Sequence, residues 1–270
     1  MDSTFFYKYR EINNYDDLSK DFSLDALFKS YAIFSGRKNF NDLFDSKIHL
    51  EYPTSEQLIG LLLQNPGIDG DKKSIMQGWL INGTITYAGI NFLKSLETGL
   101  NEMIDAYPIY SVSSNRTSNL LWAHYASSHK GFCIEFNFDE IEQPLMVTYQ
   151  KDIASVSLLD FLMHDLKIDT SNELGIKIRN ALLIKLEEWH DEGEHRWIAS
   201  HSMGSVPKGE KFTKIIYDSR KVKSIIFGCR MLPNVKEYII KTLPFTTFFK
   251  QAIETRNSIE IIDFDLKKHL

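Results

Sequence analysis

The sequence predicts a mixed α+β fold, a largely antiparallel sheet with flanking helices and one helical insertion. Three observations carry this. Short runs alternate apolar and polar residues along the whole chain, as in FFYKYR, GFCIEFNF and SIEIIDFDL; stretches of helical spacing lie between them; and several of the connections are short. From about residue 55 to 105 the spacing turns helical, broken only at NPGIDGDKK and NGT, both rich in turn formers. Strands that alternate with helices over short connections place the chain among α+β proteins.

Taken in order, FFYKYRE is a short strand, and the stretch from Asn13 to Ser35 is a helix followed by a second strand, with Asp16 or Asn14 as the helix cap. In NFNDLFDS, Asn39, Asn41 and Asp42 favour a turn, and Phe40, Leu43 and Phe44 supply apolar anchors. Thr54 and Gln57 have the spacing of a capping box ahead of the apolar run LIGLLL. After Pro108, YPIYSVSS alternates as a strand, SNLLWAHYASS is helical, and Gly131 opens the strand GFCIEFNF, which is the best-defined local unit of the chain. PLMVTYQ is a strand, the stretch from about Ala154 to Trp189 is mostly helical, and HRWIAS returns to strand. KVKSIIFGCRM is strand and turn, NVKEYIIKTL a helix, and SIEIIDFDL a closing strand. With no internal repeat and no dividing linker, residues 1–270 are expected to form one domain with an insertion at about 55–105.

The 270 residues are 43% apolar and 13% aromatic, enough for a packed core. Against 36 acidic residues stand 31 basic ones, a net charge of -5 that supplies no bulk attraction for nucleic acid or an anionic membrane. Cys133 and Cys229 are the only cysteines and sit in apolar stretches, as small buried hydrophobes in a cytoplasmic, reducing compartment would. MDSTFFYKYR lacks the basic start and apolar run of a signal peptide, and no stretch approaches the ~18 apolar residues of a membrane span.

The candidate chemistry centres on KLEEWHDEGEHR. Lys185, Trp189 and Glu192 fall at i, i+4 and i+7, one face of a helix, and Glu192, Glu194 and Arg196 fall two apart, one face of a strand. Two acids so close repel, so an arginine, a lysine or a ligand must hold them together, or one keeps its proton. The bland alternative is a solvated acidic turn with Arg196 as a surface ion-pair partner. Arg10, ending the first strand, has a planar fork suited to a phosphate, or makes an ordinary salt bridge. Ser111 and Ser113 share a strand face, and Trp122 and Tyr125 at i and i+3 cover a common surface, either as core or as an aromatic wall for a flat ring. His124 and His129 lie about 140° apart on a helix, too divergent for a two-histidine metal face. Glu192, Glu194 and His190 or His195 would form a metal set, although strand alternation turns His195 away from the acids. There is no phosphate-binding glycine loop, zinc-spaced cysteine pair, HExxH or GxSxG.

NFNDLFDS, SVSSNRTSNLLWAHYASSHKGFCIEF and KLEEWHDEGEHR, in that order after YKYR, closely resemble the bacterial family termed domain of unknown function 2971, over about Tyr7 to Ile226. That family usually has Asn-Asp-Pro-Phe where this chain reads Asn41-Asp42-Leu43-Phe44, and Cys-Phe-Ser where it reads Ser111-Val112-Ser113. The order of basic first strand, serine and tyrosine in the middle and late glutamate is also similar to the layout of ADP-ribosyltransferase toxins, whose split sheet clamps NAD. This second resemblance implies NAD as substrate, with no metal: Arg10 on its phosphates, Ser113 and Tyr125 beside the nicotinamide, Trp122 and Arg196 close by, and Glu194 or Glu192 as the catalytic glutamate. It further implies an unknown acceptor and a role as a toxin or phage-defence effector. A metal-dependent hydrolase or nuclease and a non-catalytic recognition module are the competing expectations.

Overall fold

Residues 5–65, 68, 70–138, 143–199, 206–207 and 209–265 are described by a computed structural model. Its first half runs β1 (Phe5–Arg10), α1 (Phe22–Phe28), β2 (Tyr31–Ser35), β3 (Ile48–Glu51), α2 (Ser55–Gln64), α3 (Gly70–Gln77), β4 (Leu80–Ile81), β5 (Thr84–Ile85) and α4 (Tyr87–Asp105). It continues with β6 (Ile109–Ser113), α5 (Asn119–Tyr125), β7 (Phe132–Asn137), β8 (Leu145–Met146), β9 (Thr148–Gln150), β10 (Ala154–Ser157), α6 (Leu158–Asp165), α7 (Glu173–Ala181) and β11 (Ile184–Leu186). The last elements are β12 (Glu194–Ile198), β13 (Phe212–Ile216), β14 (Val222–Phe227), α8 (Pro233–Thr242), β15 (Phe248–Glu254) and β16 (Ile259–Asp263). Two compact units result, one from residues 1–35, 108–147 and 188–270, the other from 36–107 and 148–187.

The first unit is built on a ten-stranded sheet in the order β13-β2-β6-β1-β7-β14-β15-β16, with β12 beside β6 and β8 beside β12. The pairing is antiparallel except between β14 and β15, whose connection carries α8. This is the α+β class with a largely antiparallel sheet that the alternating runs predict. Alternation along β1 sends Phe6, Lys8 and Arg10 to one face and Tyr7 and Tyr9 to the other. On the first face Phe6, Val112, Ile134 and Phe227 pack with Leu24 and Leu27 of α1 and Val235 and Ile239 of α8. On the second, Tyr7, Tyr9, Cys133 and Ile226 pack with Leu121 and Trp122 of α5. Burial of large side chains such as these contributes roughly 1.5–3 kcal/mol each. Gly131 is required where the chain enters β7, because a Cβ there would sit 2.1 Å from the Arg10 carbonyl oxygen.

The second unit holds the helices of the insertion, α2 to α4, with the small β4–β5 hairpin, and adds α6, α7 and the parallel pairs β3–β10 and β9–β11. Thr54 and Gln57 form the expected capping box at the start of α2. In this unit Arg37 donates to Asp105 at 2.7 Å, and the buried Lys185 ammonium lies 3.4 Å from Asp45.

Several expectations need correction. The first helix starts at Phe22, and its cap is neither Asp16 nor Asn14 but Asp21, whose carboxylate accepts from the Leu24 amide at 3.0 Å and the Asn13 amide at 2.7 Å. Asp17 caps a separate 3-10 turn at Leu18–Lys20, so the polar run before the helix is turn rather than helix. Leu43 and Phe44 are exposed and anchor no core. PLMVTYQ is two short strands, β8 and β9, and the stretch from Ala154 to Trp189 holds the helices α6 and α7 but opens with the strand β10 and closes with the strand β11 and a 3-10 turn. Cys229 is half-buried where Cys133 is fully buried; both are free thiols. The NPGIDGDKK break includes residues 66, 67 and 69, which lie outside the described residues, as do Ser200 and Leu266 at the ends of two expected strands. No helix among the described residues is long and apolar enough to cross a membrane.

Candidate functional site

Lys185 to Glu192 is not one helix: Lys185 belongs to β11, and a 3-10 turn, Glu187–Glu192, leads to the strand β12. Between turn and strand stands Gly193 at φ +52°, in the left-handed region that a glycine enters without strain. That residue turns Glu192 out of the row formed by Glu194 and Arg196. Lys185 belongs to the second unit, where its ammonium faces Asp45.

The end of β6 holds the turn. The Ser113 hydroxyl donates to the Glu192 carbonyl oxygen at 2.7 Å and accepts from the Asn115 amide at 2.9 Å, and the Ser114 amide donates to the Gly193 carbonyl oxygen at 3.0 Å. Ser113 faces Glu194 across the β6–β12 ladder. The Glu194 carboxylate takes both of its oxygens to Arg196, at 2.8 Å from Nε and 3.2 Å from Nη2, and Arg196 is fully buried. A fork of this kind holds a carboxylate in both position and charge. Glu192 accepts from the Tyr125 phenol at 2.8 Å. The mutual repulsion of the two acids is thus met by a guanidinium on one and a phenol on the other.

The polar row continues across the sheet. Ser113 pairs with Tyr7, Tyr7 with Glu135, and Glu135 with Ser224, so one face carries Glu194, Ser113, Tyr7, Glu135 and Ser224 on five neighbouring strands. Glu135 accepts from the Tyr7 phenol at 3.2 Å, from Lys250 at 2.6 Å and from Ser224, and Arg116 stands 3.8 Å away. Burial favours its neutral form, yet Lys250 and the Ser224 and Tyr7 hydroxyls outweigh this and hold the carboxyl below its usual range. Sequence reading passed over Glu135. Its signal was an acid in the middle of an otherwise apolar strand.

Of the remaining candidates, Trp122 is fully buried against Tyr9 with its indole N–H donated to the Arg116 carbonyl oxygen at 3.0 Å, so of the proposed aromatic wall only Tyr125 reaches the acids. Ser111 lies on the same face, opposite Arg196. Arg10 does not join them. It lies three residues from Tyr7, about 10 Å along the strand, two strands or about 10 Å from β12, and on the opposite face of the sheet. His195 also points to that opposite face, its ring edge against Phe6 and its pKa lowered by burial, while His190 is exposed beside Asp191. Among the described residues no three His, Cys, Asp or Glu side chains are grouped to hold a metal ion.

Residues 121–197 match the family described as Protein of unknown function (DUF2971). The family match thus spans α5 through β12, including Tyr125, Glu192, Glu194 and Arg196, a narrower stretch than the resemblance from Tyr7 to Ile226. No curated protein and no solved structure matches the chain, and nothing in these comparisons bears on the likeness to ADP-ribosyltransferases.

Proposed function

We propose that the Glu192–Glu194 turn is a carboxylate site for ADP-ribosyl transfer, cleaving the glycosidic bond of NAD and passing the ribose to an acceptor. The observation that carries this reading is convergence: Ser113 and Glu192 are 79 residues apart in sequence, Tyr125 and Glu192 are 67 apart, and each pair is hydrogen-bonded on one sheet face with Glu194 beside them. As the bond to nicotinamide breaks, positive charge grows on the ribose, and a carboxylate held ionised by Arg196 stabilises it. Glu192, oriented by Tyr125, accepts the proton of the attacking hydroxyl or water. In this scheme Arg116, 45% exposed and 3.8 Å from Glu135 on the acid face, takes the part of Arg10 toward the NAD phosphates.

Incubation with NAD labelled in the adenylate, together with cell lysate, is the direct test. The wild-type chain should release nicotinamide and label a macromolecule, and Glu194→Gln and Glu192→Gln, assayed well below their melting temperatures, should do neither. Absence of nicotinamide release from the wild type removes the reading.

One observation favours a second reading. Both oxygens of Glu194 are already bound by a fully buried arginine, as in a structural network that fixes the β6–β12 corner of a recognition module. A wild-type chain inert toward NAD, together with a large drop in melting temperature for Glu194→Gln, would select it.

A further inference from the structure

The geometry points to an oxyanion-binding recess around Arg10, on the sheet face opposite the carboxylates, that receives a terminal phosphate group. It is lined by Arg10, Ser23, Tyr31, Tyr110 and Tyr217 among apolar residues, all in the first unit.

Two observations point to a ligand independently. The Arg10 guanidinium makes no hydrogen bond or ion pair among the described residues, which is uncommon for a half-buried arginine. Tyr217 also lines the recess, on a side chain 8% exposed, and its buried hydroxyl has no hydrogen-bond partner among the described residues. Buried polar groups are nearly always paired, so an arginine and a phenol without partners beside one hollow mark a place for an acceptor. The Tyr110 phenol, also buried and lining the recess, makes no hydrogen bond among the described residues. The groups facing the hollow therefore supply donors: a five-donor fork and two phenols.

A further cation adjoins the lining: the Lys214 ammonium lies 4.4 Å from the Tyr31 ring centroid. Asp25 is the acid that approaches Tyr31, and it is already bound to the Tyr31 phenol at 2.7 Å and to Lys29 at 2.6 Å. Size narrows the ligand further. The recess encloses room for about one water-sized group and opens outward at its mouth. It admits one oxygen of a phosphate group, the rest of which lies at the mouth, and not a whole dinucleotide.

Thermal unfolding of the full chain at fixed ionic strength, with inorganic phosphate replacing chloride, tests the proposal. Phosphate should raise the melting temperature of the wild type in a saturable way, acetate should do so far less, and Arg10→Gln should abolish the response. Tyr217→Phe should weaken the phosphate response several-fold while leaving the phosphate-free protein as stable as the wild type or more so, because it removes an unpaired hydroxyl. Glu194→Gln should keep the whole response, which separates this site from the carboxylate reading. If Arg10→Gln does not fold, Arg10→Lys and Tyr217→Phe carry the test and must both lose affinity. An unresponsive wild type, an acetate response equal to that of phosphate, or full retention in the Arg10 or Tyr217 variants would overturn the assignment.

Discussion

At the scale of single residues, the candidate site depends on a backbone angle and the opposite face on a displaced proton. Gly193 sits at φ +52°, and a Cβ added there would lie 2.9 Å from the Ser114 hydroxyl oxygen, so an alanine adds both left-handed strain and crowding. Gly193→Ala is expected to cost about 1–3 kcal/mol in chemical denaturation and to shift the Glu192 carboxylate away from Tyr125. Lys8 is the residue whose pKa falls furthest into the physiological range. Burial first, and then repulsion by Arg10, brings it down from 10.5 to about 7. The folded amine gives up its proton near pH 7 and the unfolded one near pH 10.5, so in between the unfolded chain binds more protons and stability rises with pH. The tyrosines act in the opposite sense above their ordinary value of 10.0: Tyr7 is pushed up to about 12 by burial and by Glu135, so stability falls there as pH rises. Lys8→Met should accordingly remove the rise between pH 7 and about 9.5 that the wild type shows in urea titrations. An equal slope in both proteins would mean that the Lys8 amine keeps its ordinary pKa in the folded chain.

At the scale of elements, β12 carries a charge pair whose worth is measurable. Arg196→Met leaves the Glu194 carboxylate, 5% exposed, without its bidentate partner. Breaking a buried pair from one side costs about 3–5 kcal/mol, whereas replacing both members with apolar residues is often neutral or better. A double-mutant cycle of Arg196→Met and Glu194→Met should therefore show the double variant more stable than Arg196→Met alone, by equilibrium denaturation. The elements that bear the site were unequally legible. The β6–α5–β7 unit follows from local pattern, because alternation, helical spacing and a glycine at the strand entrance act within a few residues. So does the Thr54 box. The approach to Glu192 was not legible in the same way: Lys185, Trp189 and Glu192 suit a helical face, but a three-residue strand and a 3-10 turn are too short to leave a period, and Gly193 resets the alternation. Alternation in YKYR already separates Arg10 and Lys8 from Tyr7 and Tyr9. Which of those faces carries Glu194 is set by the register Tyr7 to Ser113 to Glu194, between segments more than 70 residues apart, and no local signal encodes it.

For the first unit as a whole, the consequence is one sheet with two polar sites on opposite faces. α5 covers the side of Glu192, Glu194 and Glu135, and α1 and α8 cover the side of Arg10. Taken along and across the strands, the offset between Arg10 and Glu194 is about 14 Å, with the sheet between them. A single small ligand held by both is therefore a different molecule from the one this fold builds. Substitutions more than about 7–10 Å apart without shared partners add in free energy to within about 0.3–0.5 kcal/mol, and among the described residues Arg10 has no hydrogen-bond or ion-pair partner to share. Arg10→Gln combined with Glu194→Gln should thus destabilise by the sum of the two single effects in urea denaturation. The double variant should also lose phosphate-dependent stabilisation to the same degree as Arg10→Gln alone. A coupling energy above about 1 kcal/mol, or a phosphate response that returns when Glu194 is neutral, would mean that the two faces act on one ligand, and the arginine would then rejoin the carboxylates in a single clamp.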